Sequence, residues 1–155
     1  MLVLTFQVGS HRLALDIQRV REVVPRVTLQ KVVGSPAWMA GLLVYRGRAV
    51  PVLDLHRLLD AGECPPHLSS RIILVPLGRG PVDPGGEGES LVGLLAAQVA
   101  DIREAPPGGQ SAPVLHGANP TGLGTTLVDQ GGILHLVDVE RLLPGPMKDL
   151  LGGPP

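Results

Sequence analysis

The stretch "GLLVYRGRAVPVLDL", Gly41 to Leu55, sets two apolar runs around a short polar break. "GLLV" reads as a buried strand, "YRGR" as a tight turn or bulge and "AVPVLDL" as the returning strand. Gly47 can take the positive φ that such a turn needs. Arg46 admits two readings. One is an ordinary surface residue. The other is a partly buried clamp, because a guanidinium offers five donors in a planar fork and can tie a carboxylate to nearby carbonyls. Glu22 and the strand-end aspartates are the candidate acceptors, and Arg48 is expected to be solvated surface.

Outward from this hairpin the chain is built from short segments. Its 155 residues include 21 Gly and 16 Pro, so long helices are not expected and short strands with frequent turns are. "LVLTFQV" (2–8), "LALDI" (13–17), "VREVV" (20–24) and "VTLQKVV" (27–33) read as strands. "GSPAWMAG" begins with a Ser35-Pro36 helix-entry signal. "RIILVPL" (71–77) and "LVGLLAAQVADIRE" (91–104) follow, the latter bending near Ala100-Asp101. "TTLVDQGGILHLVDV" (125–139) reads as a hairpin turning between Asp129 and Gly132. The polar, glycine-rich 78–90 segment is expected to be a mobile loop, and 144–155 a short, loosely held tail.

One phrase occurs three times. "ALDIQRV" (14–20), "VLDLHRLL" (52–59) and "LVDVERLL" (136–143) each place an Asp between apolar residues at a strand end. Asp16, Asp54 and Asp138 are therefore expected as structural corners. Each carboxylate would cap a helical turn by accepting backbone N–H bonds, and the apolar residues after it would fold over an open barrel end. An acid/base role for these carboxylates is the competing reading.

Composition excludes several function classes. Apolar residues make up 44% of the chain, yet only Phe6, Trp38 and Tyr45 are aromatic, so the core is aliphatic. A formal net charge of −1 with no basic block argues against nucleic-acid binding. The single cysteine, Cys64, rules out an internal disulfide, which fits a reducing compartment. No signal-peptide pattern is visible, and no apolar run approaches the roughly 18 residues of a membrane span. The histidines at 11, 56, 67, 116 and 135 show no metal-ligand spacing, and no serine sits in a Gly-x-Ser-x-Gly elbow. Neither a catalytic site, a metal nor a cofactor is expected, which favours a binding protein.

Taken together, these motifs resemble the CheW-like family, the adaptors of bacterial chemosensory arrays. "TFQVGSHRLALDIQRVREVV" is similar to the family's opening, with Val20 and Glu22 filling its Val-x-Glu motif. In "SPAWMAGLLVYRGRAVPVLDL" the matching positions are Pro36, Gly41, Arg46, Gly47, Pro51, Asp54 and Leu55. "LVGLLAAQVADI" and "TGLGTTLVDQGGILHLVDVERLL" resemble its later strands and closing helical turn, so the likeness spans nearly all of residues 2–143. The chain departs from the family at Val44-Tyr45, where Asn-Leu is usual, at Ala97, where Asp is usual, and in its long 78–90 loop.

The resemblance implies an all-β fold: two SH3-like five-stranded barrels with short helical turns at the barrel ends, packed around a shared apolar core. Residues 1–150 would form one CheW-like domain. The first barrel would cover about 13–68 and the second about 71–140, with terminal segments crossing between them. The implied function is a non-enzymatic cytoplasmic adaptor, recruited to membrane-associated receptor arrays. It would couple the cytoplasmic hairpin tip of methyl-accepting chemoreceptors to the regulatory domain of a CheA-type histidine kinase, without direct membrane insertion. A receptor groove is expected at the junction between the barrels, at Val20, Glu22, Arg46 and Gly47, with Val20 either lining it or belonging to the core. Leu29 and Val32 are the expected kinase contact. The alternatives are a small all-β ligand-binding module or a hydrolase using the Asp corners.

Overall fold

The computed structural model describes residues 1–59, 62, 64–65, 70–77, 90–106, 110–111 and 123–143. Most of the expected 78–90 loop, the whole 144–155 tail, His67 and His116 lie outside the described residues. In chain order the strands are β1 (Leu2–Val8), β2 (His11–Asp16), β3 (Glu22–Pro25), β4 (Met39–Tyr45), β5 (Arg48–Asp54), β6 (Arg71–Pro76), β7 (Leu91–Glu104), β8 (Gln110–Ser111), β9 (Leu123–Asp129) and β10 (Gly132–Val137). Two one-turn helices, α1 (Leu55–Leu58) and α2 (Val139–Leu142), follow β5 and β10, and a 3-10 turn at Ile17–Arg19 follows β2.

Pairing sorts the strands into two units of the same design. In unit I the order is β9-β10-β2-β1-β7, and β8 adds to β9. In unit II it is β4-β5-β7-β6-β3. Each unit runs from an antiparallel hairpin through one parallel pair (β10 with β2, β5 with β7) into two antiparallel pairs. The expected division at about residue 70 does not follow this pairing. β2 belongs to unit I although it lies early in the chain, and β6 pairs with β3 in unit II although it lies late.

β7 explains why. Residues 91–96 pair with β6, while residues 101–104 pair with β1. Between them the register breaks: Thr5 faces Asp101 but Gln7 faces Ala97. The extra β7 residues make a bulge in which Gln98 takes φ 49°. The bend expected near Ala100-Asp101 thus begins slightly earlier, and it lets one strand serve both units.

Strand periodicity then builds three cores, because successive side chains point to opposite faces. Leu4, Phe6 and Val8 of β1, Ile73 and Val75 of β6, and Val92, Leu94 and Ala96 of β7 face one shared core. Leu53 and Leu55 join it from the β5–α1 corner, and Val139, Leu142 and Leu143 from the α2 end. On the opposite faces, Ile72, Leu74, Leu91 and Leu95 fill unit II with Val50 and Val52. Val3, Ala14, Leu127 and Leu134 fill unit I. The unbroken apolar runs at 72–77 and 91–97 follow, since strands buried on both faces cannot alternate. Burying one Leu or Ile contributes about 1.5–3 kcal/mol, so the shared core locks the units together.

Two expected elements take another form. Residues 27–33 are an arm with one strand-like contact among the described residues, Gln30 bridging Leu42 with N–O distances of 3.0 and 2.8 Å. Ser35-Pro36 begins a turn and not a helix: Met39 N–H donates to Pro36 O, and β4 starts at Met39. Too few residues separate Pro36 from the strand to close a stable helical turn. The arm packs tightly on β4, since a Cβ at Gly41 would lie 2.7 Å from Gln30 O.

Candidate functional site

The three corner aspartates share a backbone role. Asp16 accepts from Gln18 N at 3.0 Å, and Asp138 from Glu140 N at 3.1 Å. Asp54 accepts from His56 N at 2.9 Å, Arg57 N at 3.4 Å and Cys64 N at 3.0 Å. Asp54 is buried while Asp138 is exposed. They stand at equivalent places in the two units, so sequence repetition fixed the bond and not its surroundings.

In unit II the outer strands β3 and β4 do not pair with each other. A side-chain seam joins them. Tyr45, the last residue of β4, donates its hydroxyl to Glu22 Oε1 on β3 at 2.5 Å. That bond is the main reason the Tyr45 hydroxyl pKa is raised. Arg46 and Gly47 form the two-residue turn beyond it, with φ 49° and 77°. The glycine takes this conformation without strain, while Arg46 adopts it as a non-glycine residue. Arg46 Nη2 stands 3.6 Å from Glu22 Oε1, and its guanidinium lies 5.2 Å from the centre of the Tyr45 ring.

This geometry corrects the expected clamp. The Arg46 side chain is 75% exposed and its carboxylate contact is an ion pair beyond hydrogen-bond length. It is a surface pair, and Tyr45 makes the directional bond. Arg48 is exposed, as expected. Val20, two residues before Glu22, packs half-buried against the shared core, so residues 20–22 run from that core to the seam. Val20, Glu22, Arg46 and Gly47 therefore occupy one edge of unit II. Tyr45 belongs with them. Nothing in the sequence marked it, because its partner Glu22 lies 23 residues away on another strand.

Leu29 and Val32 lie on the arm. Leu29 is half-buried against the unit II core, whereas Val32 is exposed and Val33 fully so. Beside the arm is a cleft of about 730 Å³, lined by Arg26, Leu29, Lys31, Met39, Asp54 and Arg57 among others. The arm thus offers an apolar edge next to basic groups.

A half-buried arginine–carboxylate clamp lies in unit I. Asp129, at the end of β9, accepts Arg12 Nη1 and Nη2 at 2.8 and 2.9 Å. Arg103 of β7 donates to the same carboxylate. These bonds hold the Asp129 carboxyl well below the usual carboxylate range. The partners are 117 and 26 residues apart, so no local pattern marked them.

Asp54, His56 and Cys64 meet in the interior, each offering a ligand atom within 4.8 Å of the others. Burial pushes the His56 imidazole below its ordinary pKa; the Asp54 charge opposes this and Arg26 assists it. The three are at most 3% exposed. No helix among the described residues is long and apolar enough to cross a membrane.

Comparison with known proteins gives a consistent result. The CheW-like domain family model matches residues 2–146. Protein FrzA of Myxococcus xanthus is 34% identical over 107 residues, covering 69% of this chain and 66% of that protein. "Probable chemotaxis protein CheW" of Rhizobium etli is 28% identical over 100 residues, covering 64% of this chain and 58% of that protein. These matches span less than two thirds of either relative's length. The crystal structure of the scaffolding protein TtCheW from Thermoanaerobacter tengcongensis superposes with a TM-score of 0.77 at 21% identity, covering 92% of this chain and 87% of that one. The expected all-β, CheW-like fold is therefore the fold of this chain.

Proposed function

Because the chain belongs to the CheW-like family, we propose that it is a non-enzymatic adaptor in a bacterial chemosensory complex. It joins the cytoplasmic hairpin tip of a chemoreceptor to the regulatory domain of a CheA-type histidine kinase. It works in the cytoplasm, held at membrane-associated arrays by its partners. Residues 1–150 act as one domain.

The observation that carries this proposal is the seam of unit II. It presents polar Glu22, Tyr45 and Arg46 beside half-buried Val20, on an edge left unpaired by β3. A helical receptor tip needs an apolar contact for its stripe and polar partners at its rim. The arm, with half-buried Leu29 and exposed Val32, supplies a second apolar surface, and small interfaces suffice for transient signalling contacts. The strand-end carboxylates are occupied by backbone N–H groups, which supports a structural use for them over acid/base chemistry.

Binding isotherms with the two isolated partners test this assignment. Glu22→Lys is expected to weaken receptor-tip binding and leave kinase binding unchanged. Val32→Glu should do the reverse. Both positions are exposed, and circular dichroism checks that each variant is folded. Unchanged affinities in both folded variants would contradict the assigned surfaces.

A further inference from the structure

The corner where β5 enters α1 carries donor atoms beyond those that capping uses. Asp54, His56 and Cys64 converge there with 3%, 3% and 1% exposure. His56 Nδ1 is buried without a hydrogen-bond partner among the described residues, 3.9 Å from Asp54 Oδ1. An unpaired buried ring nitrogen is costly, and native structures leave few of them. The Asp54 carboxylate has about four lone-pair sites. Three are taken, two on Oδ1 by His56 N and Arg57 N and one on Oδ2 by Cys64 N, so Oδ2 keeps one.

We infer that the Asp54–His56–Cys64 corner is a binding site for a thiophilic divalent cation of the zinc class. Carboxylate oxygen, imidazole nitrogen and thiolate sulfur are the donors such a cation prefers. Bond lengths of about 2.0–2.3 Å place tetrahedral ligands roughly 3.3–3.8 Å apart. Atoms now within 4.8 Å of one another need to close by about 1 Å, a rotamer-scale movement. On binding, the Cys64 thiol gives its proton to solvent and its sulfur bonds the metal. Carboxylate and thiolate then neutralise the dication, so no net charge is buried among these four partners.

The surroundings fit this role. Asp54 also lines the cleft, which gives a route inward. Arg26 Nη1 donates to Cys64 O at 3.2 Å and Pro65 O at 2.8 Å, holding that part of the chain against the corner. The cation would pin Cys64 to the end of β5. Residue spacing concealed the site, because the cysteine returns ten residues after Asp54. The inference goes beyond the adaptor assignment and does not depend on either partner.

The test is a titration of metal-free, full-length protein with Co²⁺ as a spectroscopic probe, followed by Zn²⁺. The expected result is a thiolate-to-cobalt charge-transfer band that saturates at one equivalent, one proton released, and displacement of cobalt by zinc. Cys64 is the only cysteine, so the band can arise from no other residue. Cys64→Ser should abolish the band, and His56→Gln should weaken cobalt binding at least about tenfold. Absence of the band in the parent overturns the site, a reading that needs no folded variant. Saturation at half an equivalent, which would mean a cation shared between two chains, also overturns it. So does an unchanged affinity in folded His56→Gln.

Discussion

The β4–β5 and β9–β10 hairpins occupy equivalent places in their units, yet their polar anchors are distributed in opposite ways. In unit II the turn is exposed, with Arg46 and Glu22 paired at 3.6 Å, while the Asp54 corner beyond β5 is buried. In unit I the turn is anchored, with Asp129 gripped by Arg12 and Arg103, while the Asp138 corner beyond β10 is exposed. The same hairpin–corner phrase thus receives its stabilisation where neighbouring segments exclude water. β2 and β7 bring arginines over Asp129; the chain at Cys64 covers Asp54. A motif repeated in sequence therefore does not repeat its energetics.

Truncating the buried corner is the most severe way to probe this contrast. Asp54→Ala removes a cap and leaves the His56 and Cys64 N–H groups without an acceptor, at a cost of about 3 kcal/mol. Urea melts in metal-free buffer would show it as a lowered midpoint with an unchanged slope. A loss under 1 kcal/mol would mean that burial adds nothing to the cap.

Asp129→Ala should cost about 2 kcal/mol, because charge-assisted bonds to a half-buried carboxylate are the stronger kind. The sign with pH follows from its depressed folded pKa. The contribution is present in full above the unfolded carboxylate pKa of about 3.9, and is lost as pH falls toward the lower folded value. Asp129→Asn should therefore flatten the parent's loss of stability in the acid range below pH 4. Parallel acid melts of the two proteins would remove Asp129 as the anchor.

The exposed corner ranks third. Asp138→Ala loses one cap to Glu140 N in contact with solvent, so about 1 kcal/mol is expected in the same urea assay. Equality with Asp54→Ala would erase the difference between the units.

Arg46→Ala is expected to change stability least, by less than about 0.5 kcal/mol, as exposed ion pairs generally do. Tyr45→Phe, which removes the 2.5 Å bond to Glu22, should cost more than Arg46→Ala. The reverse order would restore the arginine as the organiser of the seam.

The extent to which the sequence revealed all this follows the range of each interaction. β1 was legible residue for residue, since its alternation over 2–8 is local. The Arg46-Gly47 turn and the three capping aspartates were legible for the same reason. The assignment of strands to units was not, because one bulge near Gln98 passes β7 from one to the other. The 27–33 arm has β-forming composition but, among the described residues, finds a strand partner only at Gln30, so tertiary context overrode propensity. Arg12 is brought to Asp129, and Cys64 to Asp54 and His56, by the fold, and no spacing rule encodes them.

Adaptor function is tested most directly by reconstitution. Receptor cytoplasmic fragments assembled on vesicles are sedimented with a CheA-type kinase, with and without this protein. The kinase is expected to pellet with the receptors only when the protein is present, and Glu22→Lys and Val32→Glu should each abolish that recruitment. Kinase recruitment that is the same with and without the protein, or unaffected by both variants, would contradict its role as the coupling element.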